Sequence, residues 1–302
     1  MSEVNDVIDS VNDLIQSSTD RFNGKVPGMQ EKVLDELSSL LKDLDTKGDK
    51  ISASVKNLKL ISKILRKIEK VIIDPDYKSN VKEYASTFKQ ISSLQNQYFT
   101  AIEENFKPTA LLQAIRDETI NTVVENLAGS GFKDGVLSPI KSILMQNITT
   151  GGSYKDMMKT LSTNLTDGDS GEGIMSRYLK TTVVTSVAQY SRQYSHTVAE
   201  GLQFEWYQYV GSTMETTRCF CHAMLEKQYF HKSEIPAILK GDFPEYKEMT
   251  CKTNSTTGLP EGMIKGTNVS NFITYAGGYN CQHSIFPVPE SMVPQKLRDT
   301  IK

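Results

Sequence analysis

The sequence contains no apolar run near the ~18 residues that a membrane-spanning helix needs, so no spanning segment is expected. Its opening, MSEVNDVIDSVNDL, lacks the basic and apolar parts of a secretory signal, which predicts synthesis in a cytoplasm. Cysteine is scarce. Four in 302 residues, with no such signal, read as thiols in a reducing compartment rather than as a disulfide framework. No glycine-rich loop of the P-loop or dinucleotide-binding type occurs, which removes the usual nucleotide-handling classes. Neither sign of charge dominates: 34 Lys and Arg face 36 Asp and Glu for a net of −2. Attraction to nucleic acid or a membrane surface must then come from local clusters.

What the chain does contain is helical periodicity. Val4, Val7, Ile8, Val11, Leu14 and Ile15 recur at three- and four-residue steps, and Val33, Leu34, Leu37, Leu40, Leu41 and Leu44 repeat the pattern after a Gly24 to Gly28 break. A third helix is expected from about Lys50 to Ile73, ended by Asp74-Pro75-Asp76, and a fourth stripe from Val81 to Phe106 stops at Pro108. Residues 1–107 thus read as a helical bundle or long hairpins. Residues 108–202 read as a second helical domain. In it Gly129-Ser130-Gly131 acts as a helix stop, Pro139 sits in a helix first turn, Ser153 is a cap, and a long helix runs from about Ile174 to Gly201. The run Asp167 to Gly173 reads as a turn or mobile loop, and it lacks the distal bidentate Glu of a calcium-binding hand.

The texture changes after Leu202. Phe204 to Val210 and Gln228 to Phe230 favour strands, Ser284 to Pro289 reads as an edge strand, and Gly241 to Gly278 is rich in Gly, Thr and Asn with little periodicity. Residues 203–302 are therefore expected to form a small loop-rich α+β module. The fold class is α+β, predominantly α: a long helical N-terminal body with that module at its C-terminal side.

All four cysteines and three histidines fall in this module. Cys219, Cys221, Cys251, Cys281 and His283 are soft or borderline donors of the kind a structural zinc takes, although Cys-x-Cys and Cys-x-His steps about sixty residues apart match no common zinc ribbon. Inert buried thiols remain the alternative, and so does a thiolate paired with His222 or His283. Asp and Glu are sparse in the same loops, which leaves no obvious carboxylate pair for acid–base chemistry. A second cluster lies on the third helix, where Lys56, Lys59, Lys63, Arg66, Lys67 and Lys70 line one face. Point charges of this kind suit sequence-independent contact with DNA phosphates. The alternative is a solvated face paired with the acids of the first helix. No Trp or Phe on that helix anchors a membrane.

The C-terminal motifs carry a resemblance. Gly201 to Ser212, then Thr217-Arg218-Cys219-Phe220-Cys221, then Glu226 to Phe230, then Gly277-Gly278-Tyr279-Asn280-Cys281-Gln282-His283 with Pro287-Val288, resemble the Mu F-type minor head protein module of tailed bacteriophages. The preceding helix from Tyr178 resembles the one that leads into that module, so the resemblance covers about residues 174–290. In the family a Thr-Arg pair is followed closely by Cys or His, here Cys221, and the terminal motif carries Arg where this chain has Gln282. The resemblance implies a low-copy virion component associated with the portal; the portal protein and capsid interior are the expected partners, with packaged DNA added by the basic helix, and the ring symmetry of a portal suggests several copies per virion. The resemblance also implies a part in head morphogenesis, packaging or ejection, and no catalytic activity. A zinc-dependent hydrolase or toxin-like effector carried in the head is the competing expectation, because such modules are sometimes fused to effectors.

Overall fold

Apolar residues three and four apart bury one side of each long helix, and this pattern accounts for most of the chain. A computed structural model describes residues 2–167 and 172–301; the stretch 168–171 of the expected acidic loop lies outside the described residues. In order, the elements are α1 (Ser2–Asn23), α2 (Val26–Leu41), a short hairpin of β1 (Thr46–Lys47) and β2 (Lys50–Ile51), α3 (Val55–Ile72), α4 (Pro75–Ile102) and α5 (Ala110–Ala128). A single turn α6 (Ser130–Phe132), α7 (Ser138–Thr150), α8 (Tyr154–Ser162) and α9 (Ile174–Leu202) follow. The remainder is β3 (Trp206–Val210), α10 (Cys219–Lys227), β4 (Tyr229–His231), α11 (Ile235–Ile238), α12 (Pro244–Glu248), α13 (Phe272–Tyr275), β5 (Ser284–Val288) and α14 (Gln295–Arg298). The protein is predominantly α with a small sheet region, α+β in class. No described helix is long and apolar enough to cross a membrane.

Packing gathers these elements into two compact units, one of residues 1–18, 86–120 and 184–302, the other of residues 19–85 and 121–183. Both units draw on distant stretches of chain, so the divisions expected near 107 and 202 fall inside the first.

In the second unit, α3 buries Asn57, Ile61, Ile64, Ile68 and Ile72 along one stripe. It starts later than expected. Lys50 and Ile51 belong to β2, Ser54 accepts a hydrogen bond from the Asn57 amide as N-cap, and Val55 is 67% exposed. The side chain of Asn57 is fully buried and holds the hairpin exit: its Oδ1 accepts from Asp45 N at 2.9 Å, and its Nδ2 donates to Asp45 O and Ser52 O at 3.0 and 2.8 Å. Helix α5 ends at Ala128, where Gly129-Ser130-Gly131 was expected to stop it, but the stop lasts a single residue. The Ser130 amide and hydroxyl donate to Glu125 Oε2, helical structure restarts at once as α6, and it runs through a π-turn (Lys133–Leu137) into α7. Ser153 caps α8 as expected, and its hydroxyl also donates to Asp49 at 2.6 Å. That bond, with one from the Lys155 amide, holds the Asp49 carboxyl below the usual carboxylate range.

In the first unit the sheet order is β4-β3-β5, antiparallel throughout, with Trp206 opposite His231 on one side and Val288 on the other. Pro287 lies on edge strand β5, where its missing N–H breaks no ladder, and its carbonyl accepts from Tyr98 Oη at 2.6 Å. The Tyr98 ring meets Phe286 at 5.0 Å between centroids. Within the unit, Gln95 donates to Ser191 and Ser195 of α9. Phe88 packs on Tyr190.

Asn57→Ala strands one amide and two carbonyls in a dry hairpin exit, so it should lower stability by about 2–3 kcal/mol, against about 1 kcal/mol for Ser54→Ala. Denaturant midpoints at unchanged slope are the measure; equal losses for the two would remove Asn57 from its holding role.

Candidate functional site

Three cysteine and histidine side chains that are about sixty residues apart at their extremes meet behind β3. Helix α10 turns Phe220, Cys221, Ala223 and Met224 into the core. Cys281 and His283 arrive on the tight segment that leads into β5, where Gly277, Gly278 and Asn280 adopt φ of +75°, +76° and +61°. Cys221 Sγ lies 3.9 Å from Cys281 Sγ, and Cys281 Sγ lies 3.5 Å from His283 Nδ1. The ligand atoms of Cys221, Cys281 and His283 all lie within 4.8 Å of one another, so the three could bind a metal ion. The His283 ring stacks on Tyr209 at 5.3 Å, and the Tyr209 hydroxyl is 3.7 Å from Cys281 Sγ. A Cβ on Gly277 would lie 2.2 Å from Cys281 Sγ and 3.2 Å from Cys221 Sγ, and a Cβ on Gly211 would lie 2.8 Å from His283 Cδ2. Backbone thus closes over the cluster where any larger residue would collide.

The largest fully buried side chain is also here. Arg192, from α9, donates to Ala276 O and approaches Cys281 Sγ at 3.6 Å and His283 O at 3.5 Å. No described carboxylate pairs with it, and its Nε and Nη2 have no partner, nor does Nε2 of His283. A guanidinium keeps its charge in proteins, so the neighbouring sulfur is the group available to answer it. The Cys281 thiol is accordingly held well below its usual range, first by the hydrogen bond from Cys221 and then by His283 and the Arg192 charge. Cys221, the donor of that bond, is pushed well above its own. Burial pushes the Tyr209 hydroxyl up as well. A second arginine ties the same segment from its outer side: Arg218 donates to Gly277 O and Tyr279 O, both at 2.6 Å.

The other expected ligands go elsewhere. Cys219 and Cys251 are joined as a disulfide, with Cα atoms 5.6 Å apart, which corrects the expectation of four thiols and removes both from the list of metal ligands. The physical reason is proximity that spacing could not reveal: the start of α10 lies against the turn that follows α12. Closing that loop of 32 residues contributes about 3–4 kcal/mol. Cys221 and Cys281 remain free. His222 is half-buried and outside the cluster. His231 has a local task, accepting from the Ser233 amide and meeting Glu205 at 3.4 Å. Arg192 and Tyr209 were not singled out from the sequence. A basic residue on the Ala188, Arg192, His196 step of an otherwise apolar helix face was the available signal.

The basic face of α3 is present as expected. Lys56, Lys59, Lys63, Arg66, Lys67 and Lys70 are all exposed, and of these only Lys56 has an acidic partner among the described residues, Asp45 at 2.7 Å. Lys63, Arg66, Lys67, Lys70 and Lys78 line a cleft of about 660 Å³, whose acid, Glu69, is engaged by Lys133. This surface belongs to the second unit, described apart from the cysteine cluster.

Compared with known proteins, the chain matches no family model, no curated protein and no solved structure.

Gly277→Ala should destabilise by about 3 kcal/mol or more, because backbone strain adds to collision with two sulfurs. Gly258, at φ +69° with open space around it, isolates the strain alone; Gly258→Ala should lose only about 1–2 kcal/mol. Matching losses in thermal unfolding would show that the sulfurs impose no packing limit.

Proposed function

We propose that this chain is a structural minor head protein of a tailed bacteriophage, acting at the portal vertex and not as an enzyme. One observation carries the reading. The motifs that resemble the Mu F-type module lie about sixty residues apart and converge on one point: Arg218 binds the Gly277 and Tyr279 carbonyls, while Cys221 meets Cys281 and His283. Residues that carry a resemblance only as scattered pairs here form one closure of the module. Burial favours holding over turnover, since Cys221, Cys281 and His283 are only 2%, 3% and 7% exposed. Zinc, the metal expected from the sequence, finds two cysteines and one histidine here and lacks a fourth ligand, so a structural zinc would need water or Tyr209 to complete it.

On this reading the exposed cations of α3 face packaged DNA, and the portal protein and capsid interior are the other partners. A portal is a ring of identical subunits, so each can offer the same site and several copies per virion follow. A reconstruction of the portal vertex without imposed icosahedral symmetry should place this chain at that vertex alone. Density at every vertex, or none in the particle, would end the assignment. A metal-dependent hydrolytic activity abolished by Cys221→Ser would replace it with the hydrolase or effector reading.

The DNA contact has its own test. Replacing Lys59, Lys63, Lys67 and Lys70 by Gln should weaken binding equally for unrelated sequences and reduce the slope of log K against log salt by up to about 3–4. An unchanged slope would return this face to a solvated role.

A further inference from the structure

With Cys219 bound to Cys251, the buried cluster offers two sulfurs and one imidazole nitrogen and, among the described residues, no fourth protein donor of the same class. The space around them is closed. The Gly277 backbone lies against both sulfurs, the Tyr209 ring covers His283, and Arg192 occupies the side of Cys281. Zinc in structural sites takes four ligands in a tetrahedron, whereas soft thiolate donors also select Cu(I), an ion content with three.

Charge points the same way. Two thiolates bring two negative charges, and Arg192 brings one positive charge that no described carboxylate neutralises. A monovalent cation makes the buried group neutral. A divalent cation leaves one positive charge unanswered in a site whose ligands are at most 7% exposed, which is unfavourable.

We propose that Cys221, Cys281 and His283 form a three-coordinate site for a soft monovalent cation of the Cu(I) class, with the Arg192 guanidinium balancing its charge. Both sulfurs coordinate as thiolates, any displaced thiol proton passes to solvent, and the metal keeps its oxidation state. The inference stands apart from the head-protein reading and holds or fails without it.

The experiment uses the full chain without oxygen and with the Cys219–Cys251 bond intact. Ag(I), a redox-inert probe of the same class, and Zn(II) are titrated separately by calorimetry. Because Cys221 and Cys281 are the free cysteines, the expected result is about one tight Ag(I) per chain, shared by both sulfurs and lost in Cys221→Ser and in Cys281→Ser. Zinc should stay below about a tenth of an equivalent at the same free concentration. Removing the positive charge with Arg192→Gln should shift the preference toward zinc by about tenfold or more, while Arg192→Lys keeps the wild-type preference. Two tight Ag(I) per chain would mean independent thiols and overturn the site. One equivalent of zinc held by the wild type and lost in Cys221→Ser would overturn the choice of ion. If Arg192→Gln does not fold, the wild-type stoichiometry and the Arg192→Lys preference decide.

Discussion

A guanidinium placed beyond the reach of water imposes conditions on everything around it. Transferring such a charge out of water is unfavourable by several kcal/mol unless hydrogen bonds and an opposite charge meet it. For Arg192 the response comes from Ala276 O, His283 O and the Cys281 sulfur, all on the segment that leads into β5. Turning two carbonyls and a sulfur inward over so few residues requires backbone that ordinary residues avoid, hence positive φ at Gly277, Gly278 and Asn280. The segment then delivers His283 onto Tyr209 and starts β5 in register with β3. A single buried charge on α9 thereby governs a turn, a strand start and a donor cluster.

The two arginines of the module do opposite things with similar chemistry. Arg192 works from within, where its charge is answered by a sulfur. Arg218 is half-exposed and spans the same turn from outside through neutral carbonyls, so its contribution is geometric. With one guanidinium behind the segment and another across it, this chain holds its turn from two sides.

Much of this was legible beforehand, for identifiable reasons. Helices α3, α4 and α9 declare themselves because burial on one face forces a period that survives in the sequence. The strands did so too, since Trp206 to Val210 and Ser284 to Val288 are rich in aromatic and β-branched residues and flanked by turn residues. Clustering of cysteine and histidine located the site, and Cys221, Cys281 and His283 meet there. What stayed hidden depends on contacts between distant residues. The Cys219–Cys251 bond follows from how α10 lies against the turn after α12, and no spacing encodes that. Arg192 looked like one more polar residue on a long helix, because a sequence does not show which polar residue will lack water. Helix α5 ends before Gly129 as such a run predicts, and only the immediate restart at Ser130, with Glu125 supplying an acceptor one turn back, stayed out of view.

The hydrogen bond from Ser284 Oγ to Asn12 Oδ1 joins residues 272 positions apart, and the unit containing it needs residues 1–18, 86–120 and 184–302 together. During translation, therefore, the bond between Asn12 and Ser284 cannot form until both residues, 272 positions apart, have been made. Contacts of such long range are slow to form and leave an aggregation-prone interval. Closure of this unit therefore follows synthesis of β5, whose pairing with β3 completes its sheet.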